Sequence, residues 1–151
     1  MKQLHSGLSL AQGRQIVVTA LAVGREAKLA PLTVAVLDIG GHLVCLERED
    51  GSGIMRADVA IAKAWGALGM GMSSRAIRDR LQDRPTFQGA LAVVSQGRFA
   101  PVPGGVLICN AQGEAIGATG ISGDMSDQDE YCAIEGIKAA GLVPDPEQGV
   151  V

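Results

Sequence analysis

The sequence predicts an α+β domain in which helices cover a five-stranded antiparallel sheet. Two observations lead to this class. Short runs of β-branched and apolar residues occur in pairs that are joined by glycine-containing turns, which is typical of hairpins. Longer segments with helical spacing, or rich in alanine, separate these pairs. The predicted order is α-β-β-α-α-α-β-β-β-α, and the hairpin connections make the sheet antiparallel.

The first half of the chain contains two helices and one hairpin. Ser9 is expected to cap a helix over residues 10–28 that ends before Pro31. The expected strands are Thr33–Leu37 and Leu43–Arg48, joined by a turn that contains Gly40 and Gly41. A second helix, about Met55–Gly69, is rich in alanine and can therefore lie close to a sheet.

The second half is expected to hold three helices and three strands. Ser73 or Ser74 opens a short arginine-rich helix that stops before Pro85, and residues 86–94 form the next. Residues 99–105 are extended, as an edge strand or a loop, because two prolines limit their pairing. A second hairpin joins Val106–Cys109 to Ala115–Ser122. Ser126 is expected to cap a last helix that reaches Ala140 and is closed by Gly141 and Pro144.

Composition narrows the function. The chain has 151 residues, 47% of them apolar, and a formal net charge of −3. We expect one domain over residues 1–151 with an ordered core at about 9–141. The acidic balance argues against nucleic-acid binding, and no apolar run is long enough for a membrane span. Three cysteines without framework spacing favour the cytoplasm. The high apolar fraction favours a homo-oligomer, a dimer or larger.

Several residues are candidates for chemistry, each with a structural alternative. Lys63 is either an anion anchor or a surface lysine that covers apolar area with its stem. Arg48 either assists Lys63 with a ligand carboxylate or pairs locally with Asp50. Gly104, Gly105, Ser122 and Gly123 lie at strand ends, where free backbone N–H groups bind an anion or merely turn the chain. We predict one pocket lined by Lys63, Gly104, Gly105, Ser122 and Gly123.

Proton transfer has three candidates. His42 closes the first hairpin turn and is either a turn residue, a haem ligand or a proton carrier. Asp129 and Glu130 either complement the start of the last helix or act as general acid and base. With only two histidines in the chain, we predict no dedicated metal site.

Read together, six motifs resemble the GlcG/HbpS-like haem-binding and haem-degrading family, which also supplies the C-terminal domain of PduO-type proteins. They are Asp38-x-Gly40-Gly41-His42-Leu43-Val44, Arg48-x-Asp50-Gly51, Asp58-x-Ala60-x-x-Lys63-Ala64, Pro103-Gly104-Gly105-Val106, the glycine-rich segment 113–123 and Gln128-Asp129-Glu130-x-Cys132-Ala133. The resemblance implies a profilin-like α/β/α sandwich, symmetric oligomers and haem binding for some members. Trp65 and Gly66 depart from the residues that many relatives carry after Lys63-Ala64.

Two functions follow as hypotheses. The first is a cytoplasmic, oligomeric small-molecule-binding protein whose ligand is haem or a related planar molecule with carboxylates. The second is an enzyme of small hydroxy- or oxo-acid catabolism. In that enzyme Lys63 or Arg48 holds the carboxylate, and His42, Asp129 or Glu130 moves a proton.

Overall fold

Residues 1–149, the part of the chain that the computed structural model describes, contain five helices and five strands. In chain order they are α1 (Leu10–Glu26), β1 (Thr33–Asp38), β2 (Leu43–Arg48), α2 (Arg56–Met70), α3 (Ser74–Leu81), α4 (Pro85–Val94), β3 (Gly105–Cys109), β4 (Ala115–Ser122), α5 (Ser126–Ala139) and β5 (Val143–Asp145). No helix within these residues is both long and apolar enough to cross a membrane.

The strands form one sheet in the order β2-β1-β4-β3-β5, with every neighbouring pair antiparallel. Val34 and Val36 of β1 point into a core that they share with α1 and α5. Leu37 belongs to a second core, which is formed with α2. Because successive side chains of a strand point to opposite faces, α1 and α5 cover one face and α2 covers the other. The predicted α+β class with its covered antiparallel sheet is confirmed.

Of the two alternatives for residues 99–105 the loop is correct, and the strand counted there in the predicted order is wrong. Residues 99–104 are a loop, and β5 instead follows the last helix and pairs with β3, where Ile108 lies opposite Pro144. Pro101 and Pro103 cannot donate to a sheet ladder, so the loop gains little by pairing. Pro144 was read as a helix stop, yet it is buried in an edge strand, where a missing N–H is tolerated. Regular structure therefore continues past residue 141.

The helix starts were predicted with mixed success. Ser9 caps α1 as expected, since its Oγ accepts the N–H of Gln12 and the Gln12 side chain accepts the N–H of Ser9. The expected cap of α5 is wrong. Met125 is its N-cap and Ser126 is the first helical residue, with no side-chain cap. Instead, Asp129 reaches back and accepts the N–H of Asp124, which satisfies a backbone donor just before the helix.

Two sheet glycines let α2 lie almost on the backbone of the sheet. A Cβ added to Gly120 would lie 1.9 Å from the carbonyl oxygen of Ala60, and one added to Gly105 would lie 2.4 Å from that of Lys63. Both distances are far shorter than any van der Waals contact. Alanines on the facing side of α2, such as Ala64 and Ala67, are fully buried against the sheet. The alanine-rich composition of this helix is thus a packing requirement.

We expect Gly120→Ala to lower the free energy of unfolding by about 3 kcal/mol or more, because the added methyl forces α2 away from the sheet. Gly89→Ala is the matched control, since an added Cβ there has nothing within 4 Å and alanine favours the helix. Urea unfolding of both variants measures the difference. Equal stabilities would contradict the close approach of α2.

Candidate functional site

A buried ion pair lies where β3 begins and β4 finishes. Lys63 extends from α2, and its Nζ donates to Asp129 Oδ2 of α5 at 2.9 Å and to the carbonyl of Ile121 at 2.8 Å. The two side chains are only 3% and 1% exposed. Since α2 and α5 cover opposite faces of the sheet, this pair joins the two helical layers around the end of the sheet.

Burial and pairing act against each other on these two groups. Burial lowers the pKa of Lys63, while the charge and hydrogen bond of Asp129 oppose that shift. Burial likewise raises the pKa of Asp129, and Lys63 opposes it. Asp129 also accepts backbone N–H groups from Gly123 and Asp124, which favour its charged form. Because Lys63 Nζ donates directly to Asp129 Oδ2 and each group has a further hydrogen bond to the backbone, both are in their charged forms.

Of the predicted pocket residues, Gly104 and Gly105 are packed directly against Lys63, while the N–H of Gly123 donates to Asp129. A Cβ added to Gly104, where φ is +117°, would lie 2.8 Å from Lys63 Nζ. The N–H of Gly105 donates to Ser74 Oγ at 2.7 Å. Ser122 is buried and its Oγ accepts from Arg56 Nη1 at 3.2 Å. The N–H of Gly105 and the Oγ of Ser122 already have partners within the fold. Lys63 is a buried residue rather than a surface lysine.

Glu130 forms a second buried pair beside the first. Its Oε2 accepts from Arg75 Nε at 2.8 Å, and Arg75 also contacts Asp127. Glu130 is fully buried, and its Oε1 has no hydrogen-bond partner among the described residues. Arg75 thereby ties α3 to α5. The arginine-rich sequence of α3 gives no sign of this contact, because Asp127 and Glu130 lie on a different helix, far along the chain.

Arg48 lies outside this cluster. Thr33 is paired with both Arg48 on β2 and Ser122 on β4, so Arg48 and Ser122 are two strand spacings, roughly 10 Å, apart. The Arg48 guanidinium donates to the carbonyl of Ser52 at 3.2 Å, in place of the local pair with Asp50 that the sequence suggested. An open groove that Arg48 shares with Arg25, Glu47 and Glu49 runs along this edge of the molecule.

His42 lies at the opposite end of the sheet from Asp129 and Glu130. It follows the turn after β1, whereas Ser122 and the ion pairs lie near Thr33 at the start of that strand. The length of β1 separates the two ends by about 17 Å. The structure therefore does not bring the three candidate proton carriers together.

The turn around His42 is tightly organised by Asp38. Asp38 Oδ1 accepts the N–H groups of Gly40 and His42, each at 2.9 Å, and lies 3.2 Å from His42 Nδ1. The imidazole side chain is 81% exposed. Asp38 therefore lies on the Nδ1 side of the imidazole, and Nε2 is on the other side of the ring. A carboxylate beside one ring nitrogen is found behind many metal-bound histidines.

Trp65 of α2 packs against the same turn. A Cβ added to Gly41, where φ is +78°, would lie 2.8 Å from Trp65 Nε1. A small cleft of about 140 Å³ opens between the turn and α2, lined by Ile39, Gly40, Gly41, Trp65, Leu68 and Gly69. In the sequence, Trp65 stands out only as a departure from the residues that many relatives carry. The sequence feature that could have identified Trp65 as a site residue is that it is a lone tryptophan in an otherwise alanine-rich helix.

Within residues 1–149, no three histidine, cysteine, aspartate or glutamate side chains are grouped so that they could hold a metal ion. The candidate residues are divided between the two ends of the sheet, because His42 lies at one end of β1 and the ion pairs lie at the other. One end has buried, paired charges. The other has an exposed imidazole beside a carboxylate, next to a tryptophan and a cleft.

The fold and this arrangement define a class: a three-layer α+β domain with an exposed histidine hairpin at one sheet end and buried ion pairs at the other. The model of the family described as haem-degrading protein HbpS-like matches residues 8–138. The chain belongs to that family, as its six sequence motifs indicated.

Individual relatives are distant in sequence and close in structure. An uncharacterized 15.0 kDa protein in the dhaT-dhaS intergenic region of Citrobacter freundii is 27% identical over 126 residues, covering 83% of this chain and 87% of that protein. The crystal structure of a PduOC:heme complex is 25% identical, with a TM-score of 0.78, and covers 89% of this chain and 96% of that one. The Klebsiella pneumoniae protein ORFY is 24% identical, with a TM-score of 0.81, and covers 93% and 94%; it shares the fold.

We expect Lys63→Met to lower the free energy of unfolding by about 3–5 kcal/mol, because it leaves the Asp129 carboxylate buried without its cation. The double variant Lys63→Met/Asp129→Asn removes that uncompensated charge and should be more stable than the single variant. Urea unfolding of the wild type, both single variants and the double variant gives the coupling between the two residues.

The pH dependence of the stability of Lys63→Met provides the control. Without Lys63, burial raises the pKa of Asp129 further above its ordinary value of 3.8. The folded variant then takes up a proton more readily than the unfolded chain, so its stability falls as pH rises above that value. The difference in unfolding free energy between wild type and Lys63→Met should be largest near neutral pH and become smaller in acid. A deficit that does not change with pH would contradict this account.

Proposed function

We propose that the protein binds haem, or a related planar molecule that carries carboxylates, and that His42 is its iron ligand. Membership of the HbpS-like family supports haem as the ligand, as does the similarity to the PduOC:heme complex. The observation that carries the assignment of His42 is its exposed imidazole, whose Nδ1 lies 3.2 Å from Asp38 Oδ1. Neutral imidazole nitrogen is a common axial ligand of haem iron.

The surroundings of His42 fit a flat, apolar ligand. Ile39 and Leu43, on either side of the turn, are 61% and 54% exposed. Large apolar side chains flanking an exposed polar group provide area for the face of a porphyrin. The adjoining cleft of about 140 Å³ is smaller than the roughly 300–1,000 Å³ of pockets that enclose drug-sized ligands. Haem therefore lies across this surface in our proposal, and is not enclosed by one subunit.

The buried charges serve a different purpose in this proposal. For Lys63 to hold a propionate, its ammonium would have to leave Asp129, and an unpaired buried carboxylate costs about 3–5 kcal/mol. A contact to a ligand anion offsets only about 1.5–3 kcal/mol of that cost. Lys63 and Asp129 thus hold α2 and α5 in place, while the ligand binds at the other end of the sheet.

We expect hemin to give a Soret band shifted from that of free hemin when added to the wild type. His42→Ala should lose this shift, because the iron loses its nitrogen ligand. His5→Ala is the matched control, since His5 is the other histidine of the chain and lies in the exposed segment before α1. An absorption titration of the three proteins makes the comparison. A spectrum unchanged by His42→Ala would refute the assignment.

We also propose a cytoplasmic homo-oligomer. Its location is supported by Cys45, Cys109 and Cys132, which are all free thiols. Its assembly is supported by α4, a helix without any charged residue, none of whose residues is buried. Val93 and Val94 at its end are 78% and 79% exposed. A second copy of the chain would remove this apolar surface from water.

We expect the wild type to be a dimer or larger in solution and Val93→Lys to dissociate it, because a lysine would be buried at the interface without a partner. Val18→Lys is the control, since Val18 is 58% exposed on α1. Light scattering at micromolar concentration measures the mass of each protein. A wild-type mass of 15.5 kDa would refute the oligomer, and equal behaviour of the two variants would refute the assignment to α4.

A further inference from the structure

A second cleft lies on the other side of the α2 end, between α2 and α4. Its volume is about 180 Å³. Five large apolar side chains line it: Trp65, Met70, Leu91, Val94 and Phe99. Gly66, Gly69 and Ser95 complete the lining. It shares only Trp65 and Gly69 with the cleft beside His42, so it is a separate space.

The size of this cleft selects small ligands. An engineered cavity of about 150 Å³ in another protein binds benzene, whereas drug-sized ligands occupy roughly 300 Å³ or more. A space of about 180 Å³ thus holds a single six-membered ring and does not hold a porphyrin. Its aromatic walls, Trp65 and Phe99, favour a flat ring because offset and edge-to-face contacts add to the burial of apolar area.

A cation without an acidic partner lies at the edge of the cleft. The guanidinium carbon of Arg98 is 4.2 Å from the centre of the Trp65 ring. Arg98 Nε donates to the carbonyl of Ser95 at 3.1 Å, so the side chain is held between two lining residues. Among the residues described, no carboxylate lies within ion-pair distance of Arg98, although this chain pairs Arg25, Arg75 and Arg78. An arginine fixed in this way presents its remaining N–H groups to an anion.

We propose that this cleft binds a small aromatic monocarboxylate, with the ring in the apolar lining and the carboxylate on Arg98. The chemistry of the two parts agrees: the apolar space takes one ring, and the single unpaired cation at its edge takes one negative charge. This site needs neither haem nor His42. It gives the protein a second ligand class, distinct from the planar tetrapyrrole that we propose for the hairpin end.

Benzoate is the probe, and Trp65 is the reporter because it is the only tryptophan in the sequence. We expect benzoate to change the emission of Trp65 with a dissociation constant of about 1 mM or tighter, which is within reach of a ligand this small. Calorimetry on the same samples gives the constant independently of fluorescence. Absence of binding by both methods at tenfold higher concentration would overturn the proposal.

Two pairs of variants test the two halves of the site. Arg98→Gln should weaken benzoate binding on the order of tenfold through loss of the charge-assisted contact. Arg80→Gln, which removes the same charge from an exposed position on α3, should leave it unchanged. Benzyl alcohol, which has the ring without the charge, should bind the wild type and Arg98→Gln alike. Equal benzoate affinities of Arg98→Gln and Arg80→Gln would refute the carboxylate contact.

Gly69→Leu tests the apolar half by filling the cleft. A Cβ at Gly69 would meet only the Trp65 ring at 3.7 Å, so alanine fits there and a larger side chain extends into the cleft. We expect Gly69→Leu to lose benzoate binding and Gly69→Ala to keep it, with both variants unfolding at urea concentrations no lower than the wild type. Benzoate binding that survives in Gly69→Leu would overturn the site.

Hemin titration of Arg98→Gln separates the two proposals, because loss of benzoate binding with an unchanged Soret band leaves the haem assignment intact.

Discussion

The close approach of α2 to the sheet is the constraint on which the rest of this structure depends. It exists because Gly105 and Gly120 have no Cβ where the carbonyls of Lys63 and Ala60 pass. At this separation Lys63 is drawn beneath the ends of β3 and β4, and its ammonium can reach Asp129 on the helix that covers the other face. The same helix places Trp65 against the Gly41 turn. One packing distance thus positions both ends of the molecule.

The two ends are built on different physical principles. Around Lys63 and Glu130, charges are removed from water and each is compensated by a partner from another helix, which locks α2, α3 and α5 together. Such groups are engaged in the fold and are expensive to redirect to a ligand. Around His42 and Trp65 the polar groups are exposed and the apolar side chains are incompletely covered. Binding a ligand there requires no buried pair to be broken, and for that reason we assign recognition to this end.

The fold itself persists across wide sequence divergence. Proteins that are only 24–25% identical keep nearly the whole fold, with TM-scores of 0.78 and 0.81. Arg98 and Trp65 lie on the loop and helix that form the cleft between α2 and α4, and neither takes part in the buried ion pairs. The further site that we infer uses these residues and not the buried charges.

What the sequence by itself determined was the local structure and the family. The two hairpins, the capping box at Ser9 and the alanine-rich helix are each specified by neighbours in the chain, and the six motifs indicated the HbpS-like family. Only the tertiary structure decided the rest. β5 is a three-residue strand whose existence depends on β3, more than thirty residues earlier in the chain, and Pro144 locally resembles a helix stop. Whether Lys63 faces solvent or Asp129, and whether His42 lies near Glu130 or across the sheet, depends on strand order and on the closeness of α2. The local sequence pattern determines neither the strand order nor the closeness of α2, because both arise from contacts between residues that are far apart in sequence.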